Sequence, residues 1–408
     1  MTKPNSSLLR WRQIPAGVWT LGIVSLLMDL SSEMIHALLP LYLVVVFGAP
    51  ALTVGIIEGI AEATALITRI FSGALSDRLG RRKFLAAAGY GLAAVTKPIF
   101  PLAPTIGWLV AARFVDRIGK GIRGAPRDAL IADLSPSDVR GASFGLRQSL
   151  DTVGAFLGPL VAIGLMLLTA DNFPLVFWFA VIPAFLSFAL IAFGVSEPAR
   201  PPELKPVRSP LSRAEIGRLD RAYWMVVALA TLFTLARFSE AFLLLRAQSV
   251  GLALALVPAM LVVMNVIYAV SAWPAGALSD RIGRFGLLAG GFALLIVADL
   301  ALALAGNVGM VVFGVALWGL HMGLTQGILA ALVADTAPAD LRGTAFGLFN
   351  LVTGIATLAA SVIAGALWDV AGPQGTFLAG AAFTAIALLF VPVLRGRHGG
   401  HAAPISGQ

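Results

Sequence analysis

The chain has 408 residues, 58% of them hydrophobic and 12% charged, with 29 Lys and Arg against 21 Asp and Glu for a net charge of +8. Soluble proteins carry roughly twice that share of charge, so an ordinary water-soluble enzyme is excluded, and a mean hydropathy of +0.89 places most residues in lipid. Zero cysteines remove disulfides, thiolate metal sites and cysteine nucleophiles, and the basic residues gather on no single face or tail, so no nucleic-acid partner is expected.

Apolar runs bounded by Gly, Pro and charge clusters predict an all-α membrane protein with twelve transmembrane helices. The first, over 15–47, is long and carries Asp29 and Glu33, so it is expected to stay as a span rather than to be cleaved as a leader. Helices follow over 52–76, 84–103, 106–133, 142–168 and 174–195. The segment 196–221, with prolines at 198, 201, 202, 206 and 210, reads as a polar linker. A second set is predicted over 222–247, 253–277, 285–305, 308–334, 344–367 and 374–394. The expected organisation is a six-helix bundle over 1–195, a linker over 196–221, and a second six-helix bundle with a short tail over 222–408.

Arg78, Arg81, Arg82, Lys83, Arg140, the linker, Arg281, Arg284 and Arg342 all fall on one set of loops, while the loops 48–51, 169–173 and 368–373 are nearly free of Lys and Arg. By the positive-inside rule the basic side is cytoplasmic, which puts both termini in the cytosol. The halves also repeat. Gly73-Ala74-Leu75-Ser76-Asp77-Arg78-Leu79-Gly80-Arg81 returns as Gly276-Ala277-Leu278-Ser279-Asp280-Arg281-Ile282-Gly283-Arg284, an offset of 203. Ala132-Asp133, Arg140-Gly141 and Phe144-Gly145-Leu146 return as Ala334-Asp335, Arg342-Gly343 and Phe346-Gly347-Leu348, an offset of 202. Six plus six spans in parallel repeat suit two halves that rock about a central site.

The pattern Gly73-x-x-x-Asp77-Arg78-x-Gly80-Arg81-Arg82 resembles the loop 2–3 signature of the major facilitator superfamily, and the repeat, linker and span count extend the likeness over the whole chain. Gly154-x-x-x-Gly158-Pro159 in the fifth helix resembles the antiporter motif of that superfamily, which is associated with export. Two departures stand out: Phe285 occupies the place of Arg82 in the second copy, and the eleventh helix has no Gly-Pro counterpart. The resemblance implies two pseudo-symmetric bundles and a latch on the cytoplasmic face, in which Asp133 pairs with Arg81, with gating roles for Asp77, Arg78, Arg81, Asp133, Gly154, Gly158, Pro159, Asp280 and Arg281. Its first, fourth, seventh and tenth helices line a central cavity.

Ionisable groups inside spans carry the functional information, because each costs roughly 2.5–3.5 kcal/mol at the bilayer centre unless it faces a partner or a cavity. Asp29, Glu33 and His36 form one stripe of the first helix, and Glu58, Glu62 and Arg69 one of the second. The fifth helix adds Arg147 and Asp151, and Lys97, Asp299 and His321 stand singly in their spans. Proton coupling is expected at Asp29, Glu33 and Glu62. On the resemblance, the cavity residues that bind substrate are His36, Arg113, Asp116, Arg117, Lys120, Arg237, Glu240 and His321. These expectations describe a secondary transporter rather than an enzyme: a monomer in a bacterial-type inner membrane, coupled to protons, exporting a small molecule and using no cofactor. Two alternatives remain open at this point. His36 and His321 with nearby carboxylates suit a divalent cation of the nickel, cobalt or iron type, and the basic stripe Arg113, Arg117, Lys120 and Arg123 suits an organic or phosphorylated anion. No Walker loop occurs. Gly119-Lys120-Gly121-Ile122-Arg123-Gly124 matches a dinucleotide fingerprint but lies within a span with no preceding strand, so its glycines are read as packing positions against the fifth helix.

Overall fold

The computed structural model describes residues 13–136, 138–197, 216–338 and 341–398. Every regular element among them is helical, as lipid requires of a chain that must satisfy its backbone hydrogen bonds internally. The first half contains α1 (Ala16–Leu41, extended by a π turn Tyr42–Val46), α2 (Ala51–Leu79), α3 (Arg82–Thr96), α4 (Ile106–Leu134), α5 (Arg140–Leu168) and α6 (Phe173–Gly194). The second half contains α7 (Arg221–Ala236), α8 (Ala241–Ser249), α9 (Ala259–Ile282), α10 (Arg284–Ala303), α11 (Val308–Thr336) and α12 (Arg342–His398). Side chains start several of these helices: Asn172 accepts from the Leu175 N–H at 3.1 Å, Asp220 from Tyr223 at 2.9 Å and Asn307 from Met310 at 3.0 Å.

Among the described residues ten helical stretches are long and apolar enough to span a membrane, against the twelve expected. Two causes account for the difference. The stretch Ile106–Leu134 is 29 residues long but too rich in charge to qualify, and α12 runs through Gly372, whose φ of 71° marks a kink between two helical pieces. The predicted helix over 222–247 is also not continuous: the backbone leaves helical form at Arg237-Phe238-Ser239-Glu240, between α7 and α8.

By contacts, the described residues of 1–48, 60–210 and 254–258 form one compact unit, and those of 49–59, 211–253 and 259–408 form a second. In the first unit α1 packs on α5 and α6, and α3 on α4. Gly154 and Gly158 on α5 face α1, where a Cβ at Gly154 would strike the backbone of Leu26 and one at Gly158 would strike Glu33. Gly119 does the same for the α3–α4 seam, since its added Cβ would lie 2.7 Å from the Gly89 carbonyl. Gly121 instead abuts Ala65 and Thr68 of α2. The glycines of the fingerprint-like stretch therefore admit α2 and α3, not the fifth helix as expected, because they sit on the faces of α4 turned to those two neighbours.

In the second unit α10 packs on α11 and α12, and α9 on α11. The first residues of α2 belong here: the Asp369 carboxylate accepts from the N–H groups of Ala51 and Leu52, each at 2.9 Å, and Gly365 has no room for a Cβ against Ala51 and Leu52. Exposure follows an inverted pattern. Leu168, Phe193 and Val370 are largely exposed, whereas Lys97, Arg113, Asp116 and Arg117 are buried. An apolar coat over a charged interior is the arrangement for a hydrocarbon solvent.

Candidate functional site

The charges of the first unit assemble along α4. Residues at i, i+3 and i+4 share a helix face, so Arg113, Asp116, Arg117, Lys120, Arg123 and Arg127 form one ladder, with partners supplied by α1, α2, α3 and α5. Lys97 Nζ lies 2.9 Å from Asp116 Oδ1 and donates to Ser32 Oγ at 3.1 Å. Arg117 reaches Glu62 Oε1 at 3.3 Å and Asp116 Oδ2 at 3.8 Å. Arg113 Nη2 stands 2.7 Å from His36 Nδ1. Lys97, Arg113, Asp116 and Arg117 are buried, a configuration that lipid tolerates only because each charge meets another.

Further along α4 the ladder opens. Arg123 lies 3.9 Å from Asp29 Oδ1 and 4.9 Å over the Tyr90 ring. Arg127 donates to Ser25 Oγ at 3.1 Å and contacts Asp128 and Asp151. Arg147 bridges Asp151 at 3.1 Å and Asp128 at 4.0 Å. Asp29 on α1 and Asp151 on α5 lie close enough to act electrostatically on each other. Both side chains retain about a fifth of their surface, 23% and 20%. Lys120, exposed, acts electrostatically on Asp29, Glu62 and Asp151 alike.

The expected proton carriers thus occupy three settings: Asp29 stands beside Arg123 and Asp151, Glu62 is paired with Arg117, and Glu33 is half-buried against Gly158. Of the residues expected to bind substrate, His36, Arg113, Asp116 and Arg117 come together in this network, with Lys120 at its exposed edge. Arg237, Glu240 and His321 belong to the second unit, the first two at the ends of the α7–α8 break. Interrupted helices of this kind expose backbone groups where a transporter handles polar cargo. Among the described residues no group of three or more His, Asp or Glu side chains is placed to hold a metal ion.

On the loop side, Asp133 bonds Arg82 at 2.5 Å, and Arg82 also donates to the Ala129 carbonyl at 2.8 Å. The expected partner Arg81 is instead exposed at the N-cap of α3, where the turn at Gly80 (φ 63°) points it outward. In the second unit Asp335 pairs with Arg284, the repeat equivalent of Arg81. The latch moves by one residue between the copies because Phe285 replaces Arg82. Arg78 is exposed, and Pro159 lies within α5. The side chains of Asp77, Asp280 and Arg281 lie outside the described set, as do the prolines of the linker from 198 to 210 and the tail residue His401. Sequence reading singled out Asp151 and Lys97 as buried charges without assigning them to the site. Ser25, Ser32 and Tyr90 gave no signal at all, since neutral hydroxyls inside helices are ordinary.

A helical fold with an apolar surface, a charged interior and an interrupted helix defines a membrane transport protein. The family model of the Major Facilitator Superfamily matches residues 21–360 and again 241–407, and the chain belongs to that superfamily. It is 33% identical over 392 residues to an uncharacterized MFS-type transporter of Methanocaldococcus jannaschii, covering 93% of this chain and 96% of the relative. It is 27% identical over 407 residues to the inner membrane transport protein YajR of Escherichia coli, covering 92% and 83%. Among solved structures the fold matches a mutant of the nucleoside transporter NupG with a TM-score of 0.78 at 14% identity, covering 92% of this chain and 99% of that one. A D-xylose–proton symporter matches with a TM-score of 0.70 at 18% identity, covering 92% and 96%.

Proposed function

We propose that this protein, a superfamily member and integral membrane transporter, is a proton-coupled exporter of a small molecule, working as a monomer by alternating access in a bacterial-type inner membrane with both termini cytoplasmic. The single observation that carries the coupling is the placing of two partly exposed acids, Asp29 and Asp151, on packed helices beside Arg123, Arg127 and Arg147. A shared proton at two partly exposed acids is a load that a cycle can release, since anything that draws the carboxyls apart or brings a cation between them frees it. Lys120 is the adjacent exposed cation, and it belongs to the same α4 ladder that fixes Arg117 on Glu62. The close α1–α5 contact at Gly154 and Gly158 supports the export direction by its resemblance to the antiporter motif, and it joins the two helices that carry Asp29 and Asp151. Arg113 against His36 Nδ1 places positive charge where a metal cation would have to bind, which argues for an organic substrate over a metal.

The test is a substrate panel in proteoliposomes under an imposed pH gradient. One chemical class should move against its gradient and stop moving when a protonophore collapses the pH difference. Transport that ignores the protonophore would overturn the coupling, and a panel in which no compound moves would overturn the assignment.

A further inference from the structure

Four charged side chains of the first unit keep open surface near the middle of their helices: Asp29 on α1, Glu62 on α2, Lys120 on α4 and Asp151 on α5. Asp29, Glu62 and Asp151 expose 23%, 37% and 20% of their side chains, and Lys120 is exposed. A charge turned to hydrocarbon at that depth is costly, so these open faces mark a polar space rather than lipid. Asp128, nearer the end of α4, is taken up by Arg69, Arg127 and Arg147.

Helix geometry sets Lys120 among the three acids. Arg117 and Arg123 lie one turn to either side of it on α4, where neighbours stand roughly 5–6 Å apart. The first reaches Glu62 at 3.3 Å and the second Asp29 at 3.9 Å, and Lys120 between them acts electrostatically on both acids and on Asp151. Alone on the basic ladder, Lys120 forms no hydrogen bond or ion pair among the described residues. Arg123 keeps its Nη1 without a partner, so the basic side of the space has donors to spare. The acidic side has acceptors to spare, because a carboxylate offers about four lone-pair sites and Arg127 approaches Asp151 only to 3.8 Å, with Arg147 at 3.1 Å.

We infer that this space binds a small zwitterion of the amino-acid type, with its carboxylate on Lys120 and its ammonium between Asp29 and Asp151. As the substrate class of the transporter it rests on the proposed function; as a binding site it does not. A purely anionic ligand meets three carboxylates around Lys120, and a purely cationic one meets Lys120 and Arg123 beside the acids. A neutral ligand takes water from four charges and returns nothing. A molecule with both signs a few bonds apart satisfies each group, through charge-assisted hydrogen bonds, which are the strong ones. It also suits export against a proton, since an ammonium between the two acids occupies the place a proton would take and each excludes the other.

Calorimetry on the detergent-solubilised full-length protein tests the class without transport. The probes are the standard amino acids and their glycyl dipeptides, each with its N-acetyl derivative and its methyl ester. A free zwitterion should bind and lose about tenfold in affinity on either modification, the worth of one charge-assisted hydrogen bond. In Lys120→Gln the penalty for esterification should vanish, and Lys120→Arg should restore it. In Asp151→Asn the penalty for acetylation should shrink, and Asp29→Asn gives the same reading if Asp151→Asn does not fold. Three results would each overturn the site: no zwitterion of the panel binds, an ester or N-acetyl derivative binds as tightly as its parent compound, or the ester penalty is unchanged in Lys120→Gln. If a compound of another class moves in the pH-gradient vesicles while no zwitterion binds, the transport reading stands and the zwitterion site falls.

Discussion

Lys97 is a test of how the buried ladder is held. Its ammonium meets Asp116 and Ser32 inside the first unit, and removing one partner of a buried pair costs roughly 3–5 kcal/mol because the other charge stays enclosed. Lys97→Met should therefore lower the thermal unfolding temperature of the detergent-solubilised protein sharply, and Lys97→Met combined with Asp116→Leu should recover much of the loss. Equal losses in the single and double variants would show that Asp116 is balanced by Arg117 alone. The residues of this ladder were legible in the sequence because charges within apolar spans are rare and each one stands out. Their partners were not: periodicity gives the face of a helix but not the rotation of its neighbour, which is why Asp133 takes Arg82 rather than Arg81, and why Asp29 faces Asp151.

Helix-to-helix approach in the first unit is governed by small residues, as it is wherever the solvent is lipid and apolar burial offers no gain. Gly154 has backbone where a Cβ would go, whereas nothing lies within 4 Å of a Cβ built on Gly145 of the same helix. Gly154→Ala should destabilise the protein by about 1–3 kcal/mol, the usual cost of overpacking, and Gly145→Ala should leave the unfolding temperature unchanged or slightly raised, since alanine favours helix. Equal effects would mean that α1 and α5 tolerate separation. Element existence was legible because long apolar runs admit one backbone solution in a bilayer. The interruption at 237–240 was not, because Arg237-Phe238-Ser239-Glu240 contains no proline or glycine to announce it. Contacts such as Ser239 N–H to Ser361 Oγ and the Ala241 N–H to Ser239 Oγ serve the backbone there.

At the scale of the whole molecule, the duplicated loops carry the same device in both halves. Gly80 and Gly283 each take a positive φ, 63° and 77°, that a side chain would strain, and an Arg–Asp pair follows each turn. The duplication made the family legible from sequence, whereas substrate class has no comparable signature, because it depends on side chains brought together from several helices. On the proposed reading, the Asp29–Asp151 pair is the point at which fold and energy source meet. The most direct measurement is the pH dependence of substrate exchange in proteoliposomes for the parent, Asp29→Asn and Asp151→Asn. Each variant should lose gradient-driven accumulation while still exchanging substrate at equal pH on both sides, by at least about tenfold in the driven rate, the equivalent of 1.4 kcal/mol of lost coupling. Accumulation in both variants at the parental rate and with the parental pH profile would contradict proton carriage by this pair.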